Sequence, residues 1–197
     1  MYRNRLNRDN LIRRFEEYLA DDGRSQQDKR RAVGEFHYIP LSLDAFEQQL
    51  NFVLCLLEGE PQRPLAFVDV GCGIGTKLLC ARILSPGLIL CGIEKDPRYT
   101  KIARRLVSNS GDRGYGSVGG DLRARILTRD ALRASYKHYD IIYFYSPLSD
   151  DKKETRLEQR MISTAKKGTF FLCNLPKHDW DHDERVKRIT DGIYRKK

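Results

Sequence analysis

Leu65-Ala-Phe-Val-Asp-Val-Gly-Cys-Gly-Ile-Gly-Thr76 joins an apolar run to a series of alternating glycines. Residues 65–70 form a short apolar run with β-branched members, the pattern of a strand buried on both faces, and it opens directly into alternating glycines. The helical stretch 76–84 and a second apolar run, 88–94, follow, so strand, glycine turn, helix and strand make a βαβ unit. In parallel sheets ligands bind beyond the carboxyl ends of the strands, which is where 69–76 must lie. Glycines there let backbone approach a ligand closely, and the next helix offers free N–H groups. A dinucleotide fingerprint would read GxGxxG; here the spacing is GxGxG and Thr76 holds the third small position, so the NAD reading loses its motif.

Outward from this unit the alternation continues. Leu43, Phe46, Leu50, Val53, Leu54 and Leu57 recur at helical spacing behind Ser42, a possible cap. Downstream, the pattern predicts a helix over 97–109, strands at 124–128 and 139–145, a helix over 150–166 and a strand over 168–175. Near the C-terminus two short runs flank Thr190-Asp191-Gly192, and Asp-Gly favours the positive φ values of a tight hairpin. The expected architecture is therefore α/β: a Rossmann-like, doubly wound, mostly parallel sheet with a C-terminal antiparallel hairpin. Residues 1–35 read as an N-terminal helical extension and linker, with Leu11, Ile12, Phe15 and Leu19 at helical spacing, and 36–197 as the main α/β domain.

The 197 residues suit one domain, and 36 basic against 27 acidic residues leave a net charge of +9. That excess is uneven: residues 36–94 carry net −3 and residues 95–125 net +5, so 95–125 offers a basic face to an acidic partner or is a solvated helix face. No apolar run approaches the roughly 20 residues that cross a bilayer, and no apolar leader opens the chain, so a cytoplasmic protein without membrane insertion is expected. Cys55, Cys72, Cys80, Cys91 and Cys173 form no CxxC pair, as expected of free thiols in a reducing compartment. His178 and His182 lie among Asp179, Asp181 and Asp183, but in a loop with no third remote ligand, so no metal site is expected. The run 111–120 holds five of the 15 glycines, yet it follows a helix that runs back from the ligand rim, so it reads as a connector.

Three acids fall at expected strand ends: Asp69, Glu94 and Asp130. Together they would repel a pyrophosphate but suit a nucleoside carrying a cationic sulfonium and an ammonium group, which points to S-adenosylmethionine. Glu94, 25 residues beyond Asp69, is placed to accept hydrogen bonds from ribose hydroxyls. The chain here resembles the class I S-adenosylmethionine-dependent methyltransferases through VDVGCGIGT (68–76), GIEKDP (92–97), RDAL (129–132) and YDIIYFYSPL (139–148), a likeness covering roughly 36–175. It implies a cofactor site with Gly71, Cys72, Gly73 and Gly75 against the methionine part, Asp69 supporting its amino group, Glu94 and Lys95 at the ribose, and Asp130 and Ala131 near adenine.

A narrower resemblance, through YIPLS (38–42), GIEKDPRY (92–99) and NLPKHDW (174–180), is to small protein-lysine methyltransferases with a Tyr-x-Pro element. It implies that Tyr38 and Pro40 line the cofactor or target channel, although this element also reads as a turn capping the helix from 43. Tyr145 and Ser146, at the end of the fourth strand, are the candidates to orient a target amine or accept its hydrogen, and Pro147 and Trp180 to wall its channel. Tyr143 and Tyr145 share a sheet face and also read as packing residues; Trp180 also reads as a plug under the hairpin. Ser-Pro-Leu departs from the Asn/Asp-Pro-Pro-aromatic pattern of many nucleic-acid amino-methylating enzymes. The acceptor expected is thus a protein lysine, with RNA or a small molecule as alternatives. From another class, the chain could be a Rossmann-like protein- or nucleic-acid-binding module without catalysis.

Overall fold

Strong period-2 alternation in the strands divides the apolar residues between two faces of one sheet. The computed structural model describes residues 43–59, 63–109, 124–148, 150–174 and 176–197. The expected extension, Tyr38, Pro40 and the glycine-rich run 111–120 lie outside these residues. The elements are α1 (Leu43–Leu56), β1 (Ala66–Val70), α2 (Thr76–Leu84), β2 (Ile89–Glu94), α3 (Pro97–Asn109), β3 (Ala124–Thr128), β4 (Ile141–Phe144), α4 (Asp151–Thr164), β5 (Phe170–Cys173), β6 (Val186–Thr190) and β7 (Ile193–Lys196). The sheet order is β3-β2-β1-β4-β5-β7-β6. Pairing is parallel from β3 through β5, and β7 and β6 close the sheet as an antiparallel hairpin. This is the Rossmann-like architecture expected from the sequence.

Phe67, Ile141, Tyr143, Phe170 and Leu172 pack on one face with Phe46 and Leu50 of α1, Leu78 of α2 and Ala103 of α3. Their neighbours along the same strands, Val68, Ile142, Phe144 and Phe171, pack on the other face with Leu157 and Met161 of α4 and with Trp180. Helices thus cover both faces, as parallel strands require. No helix among the described residues is long and apolar enough to cross a membrane.

Three details differ from the expectation. β5 starts at Phe170, because Gly168 takes a left-handed φ of 86° and turns the chain ahead of it. The connection after β3 contains a short 3-10 turn, Ala131–Arg133. In the hairpin only Gly192, at φ 66°, is left-handed, and a register shift between Arg188 and Thr190 absorbs the remaining twist.

Candidate cofactor site at the carboxyl rim

The glycine turn leaves β1 with left-handed φ at Gly71 (75°), Gly73 (52°) and Gly75 (86°), a conformation that costs a residue with a Cβ about 1–2 kcal/mol. Two N–H groups of the turn, from Gly71 and Cys72, donate to the Ile93 carbonyl at 2.8 and 3.1 Å, fastening the turn over β2. A Cβ on Gly71 would stand 2.4 Å from Cβ of Pro147, so the loop after β4 can close on the turn only because residue 71 is glycine. Gly92, which sequence reading did not single out, has the same kind of role. A Cβ there would lie 2.7 Å from Sγ of the buried Cys72.

Because β3, β2 and β1 are adjacent, Asp69, Glu94 and Asp130 come to one rim. Asp69 is 3% exposed, and burial pushes its carboxyl well above the usual range; the Lys77 ammonium opposes that shift and Glu94 adds to it. Burial in turn lowers the pKa of Lys77, which Asp69 sustains as a cation. Lys77 is a member of the site that sequence reading missed; its only signal was a basic residue in the first turn of an apolar helix. The Glu94 carboxylate is fixed from two sides: Oε2 accepts the Gly73 N–H at 3.0 Å and Oε1 the Asp96 N–H at 2.8 Å. Each oxygen keeps capacity for a further donor. Lys95 stands exposed beside it. Asp130 Oδ1 caps the 3-10 turn by accepting the Leu132 N–H at 2.9 Å, and the buried Ala131 offers its carbonyl to the Tyr136 hydroxyl at 2.9 Å.

At the end of β4, Tyr143 is buried edge-on against Phe46, with ring centres 4.8 Å apart, and Tyr145 packs half-buried on the same core face. Ser146 has φ 37°, the one non-glycine residue with positive φ among the described residues. Strain of this kind persists where the surroundings over-determine the backbone. Here Pro147 is seated on Gly71 and the Leu148 N–H donates at 2.9 Å to Oε2 of Glu154, a buried residue of α4. Oε1 of Glu154 is buried without a hydrogen-bond partner among the described residues, and burial pushes the carboxyl up to about 7.

One turn later Glu158, fully buried, accepts the Lys177 N–H at 2.8 Å, the His178 N–H at 3.0 Å and the Trp180 indole N–H at 2.6 Å. Two carboxylates of one helix therefore hold the loops that follow β4 and β5. The signal in the sequence was their intrusion, four residues apart, beside the apolar Leu157 and Met161. Trp180 is 2% exposed, packed on Phe144, Phe171 and Tyr194 beneath the hairpin. His178 pairs with Asp183 at 2.7 Å and His182 with Asp179 at 2.9 Å. No cluster of three or more metal-ligating side chains occurs among the described residues.

No family model matches the sequence, and no curated protein matches it. Solved structures do. Mitomycin 7-O-methyltransferase MmcR is 22% identical over 81% of this chain and 42% of its own, with a TM-score of 0.53. An S-adenosylmethionine-dependent methyltransferase from Clostridium acetobutylicum ATCC 824 is 13% identical over 68% of this chain and 50% of its own, with a TM-score of 0.49. The plantazolicin methyltransferase BpumL, solved with S-adenosylhomocysteine, is 16% identical over 66% of this chain and 46% of its own, with a TM-score of 0.48. The chain shares the fold of MmcR, and it spans less than half the length of that structure.

Proposed function

We propose that the protein is an S-adenosylmethionine-dependent methyltransferase. The observation that carries this reading is the rim itself. A turn of left-handed glycines lies between a buried, cation-seeking carboxyl, Asp69, and a carboxylate, Glu94, held ready for hydroxyl donors. Those residues fit the cofactor's parts: Asp69 for the ammonium, Gly71, Gly73 and Gly75 with Cys72 for the methionine chain, Glu94 beside Lys95 for the ribose, Asp130 and Ala131 for the adenine. Bound S-adenosylmethionine supplies an electrophilic methyl group and leaves as S-adenosylhomocysteine. The chain's own work is alignment and exclusion of water, which suffices for much of the rate of an in-line displacement.

The acceptor side is the loop after β4. Ser146, held in its strained conformation by Pro147 and by the Glu154 clamp on Leu148, together with Tyr145, orients the attacking group. We assign a protein lysine as acceptor, deprotonated by desolvation before attack. The basic surface of α3, with Arg98, Lys101 and Arg105 exposed, would receive an acidic partner. The positive balance of the chain favours RNA as the second reading.

The first experiment is calorimetric titration with S-adenosylmethionine and S-adenosylhomocysteine, with NAD and ATP as controls. Saturable one-site binding of the first two alone is expected. A folded protein that binds neither would instead be a Rossmann-like partner module. A labelled-methyl assay on protein and RNA pools then separates the acceptors.

A further inference from the structure

The amino-terminal rim of the sheet, about a strand's length from the glycine turn, holds a cavity of about 560 Å³. It is built where β1, β4 and β5 begin and the hairpin β6–β7 returns. Leu57 and Leu65 supply apolar wall, and seven basic residues from four segments converge on it: Arg63, the Lys166–Lys167 pair, Lys187, and Arg195 with Lys196 and Lys197. The carboxylate among the lining residues, Asp140, is already committed. It accepts Arg63 Nη2 at 2.6 Å, Lys166 Nζ at 2.6 Å and the Ala66 N–H at 2.8 Å. Lys167 and Lys187 have no carboxylate partner among the described residues and are exposed.

Two further facts describe a site that is fixed in shape and short of negative charge. The Arg195 guanidinium sits over the Phe170 ring, 5.0 Å from its centre, which sets its direction. Burial and the nearby Arg185 cation lower the pKa of Lys196, the crowding that a bound anion relieves. The cavity's size is in the range of nucleotide-sized ligands. The Arg195 guanidinium beside several lysine ammonium groups matches a phosphate with several oxygens to satisfy.

We propose that this cavity binds the phosphate groups of a nucleotide or of single-stranded RNA, remote from the glycine turn. This inference does not rest on the methyltransferase reading. A site on the far rim anchors a polyanion without competing with the ligand of the carboxyl rim.

The test uses the full chain. Binding of a fluorescent single-stranded RNA dodecamer is followed by anisotropy across a salt series, with pyrophosphate, ATP and poly-glutamate as competitors. Lys167→Glu/Lys187→Glu is compared with a charge-matched control on exposed positions of α4, Lys152→Glu/Lys153→Glu. The cavity variant should lose at least tenfold in affinity and flatten the log–log salt slope by about 1.4, the value for two phosphates of a single strand, while the control changes less than twofold. Competition by ATP or pyrophosphate at that site identifies a free nucleotide as the source; binding of RNA alone identifies the phosphodiester backbone. Equal losses in both variants, equal competition by poly-glutamate, or no binding of RNA, ATP or pyrophosphate by the folded protein would each overturn the proposal. All four side chains are exposed, so both variants should retain the wild-type melting profile.

Discussion

The two rims of this sheet treat carboxyl groups in opposite ways. At the carboxyl rim Asp69 and Glu154 are buried with too little positive charge, and both are pushed toward neutrality. At the amino rim Asp140 is also buried, but Arg63, Lys166 and the Ala66 N–H hold it as an anion and lower its pKa to about 2. Burial alone raises a carboxyl pKa; partners decide the final sign. One rim keeps unmet demand for cations, whereas the other meets Asp140 internally and keeps cations in excess. That asymmetry is what the two proposals rest on, a cationic ligand at one rim and an anionic one at the other.

The largest effect should come from the helix that shapes the carboxyl rim. Glu158→Ala strands the buried Trp180 indole donor, at a cost of about 1–3 kcal/mol, and frees the part-buried N–H groups of Lys177 and His178, which water reaches in part. A loss of about 3–5 kcal/mol in denaturant unfolding is expected. A loss below 1 kcal/mol would mean that the loop after β5 is not held by this carboxylate. Next comes Asp69→Asn, which preserves shape but removes the negative form. Affinity for S-adenosylmethionine should fall about 100-fold, equivalent to about 2.7 kcal/mol, with the far-ultraviolet spectrum unchanged. Unchanged affinity in calorimetry would separate Asp69 from the ligand.

The pH response sharpens the contrast. Glu154 has a folded pKa raised from 4.5 to about 7, so the folded state binds a proton that the unfolded chain releases. Its stabilising contribution is therefore full below about pH 4.5 and lost as pH rises to about 7, an effect of about 3 kcal/mol. Glu154→Gln should flatten the stability profile across that window, leaving the same-signed slope of Asp69. An unchanged slope in urea titrations between pH 4.5 and 7.5 would remove Glu154 from the account.

Much of the carboxyl rim was legible in the sequence, because it is local in the chain. The glycines of 71–75 and the acids at strand ends follow one another in the order that a βαβ repeat imposes, and the described helices and strands lie close to their expected spans. What escaped were contacts between segments distant in sequence. The burial of Glu154 and Glu158 depends on which face α4 presents to the sheet, and the steric need for Gly92 depends on Cys72 folding back over β2. The amino-rim cavity is the extreme case: Lys166-Lys167 and Arg195-Lys196 read as unremarkable charged ends. Only the strand order β5-β7-β6 brings them beside Lys187 and Arg63. Sequence reading placed the basic character at 95–125, and it gave no sign of this second concentration.

The smallest expected effect is also the most direct challenge to the contrast between rims. Asp140 contributes stability above its unfolded pKa of 3.8 and loses it as pH falls through about 2, the reverse of Glu154. Because Arg63 is about half exposed, solvent screens part of the pair, and Asp140→Asn should cost about 1 kcal/mol at neutral pH. That deficit should vanish on acidification toward pH 2, where the wild-type carboxylate is itself being protonated. The same substitution frees Arg63 and Lys166 within the cavity, so affinity for a phosphate-bearing ligand should rise severalfold while stability falls. Opposite movement of the two quantities requires a carboxylate that neutralises the cavity's cations. If Asp140→Asn instead weakened phosphate binding in a protein that remained folded, Asp140 would be orienting Arg63 and Lys166 for the ligand, and the amino rim would be a cradle organised by its acid.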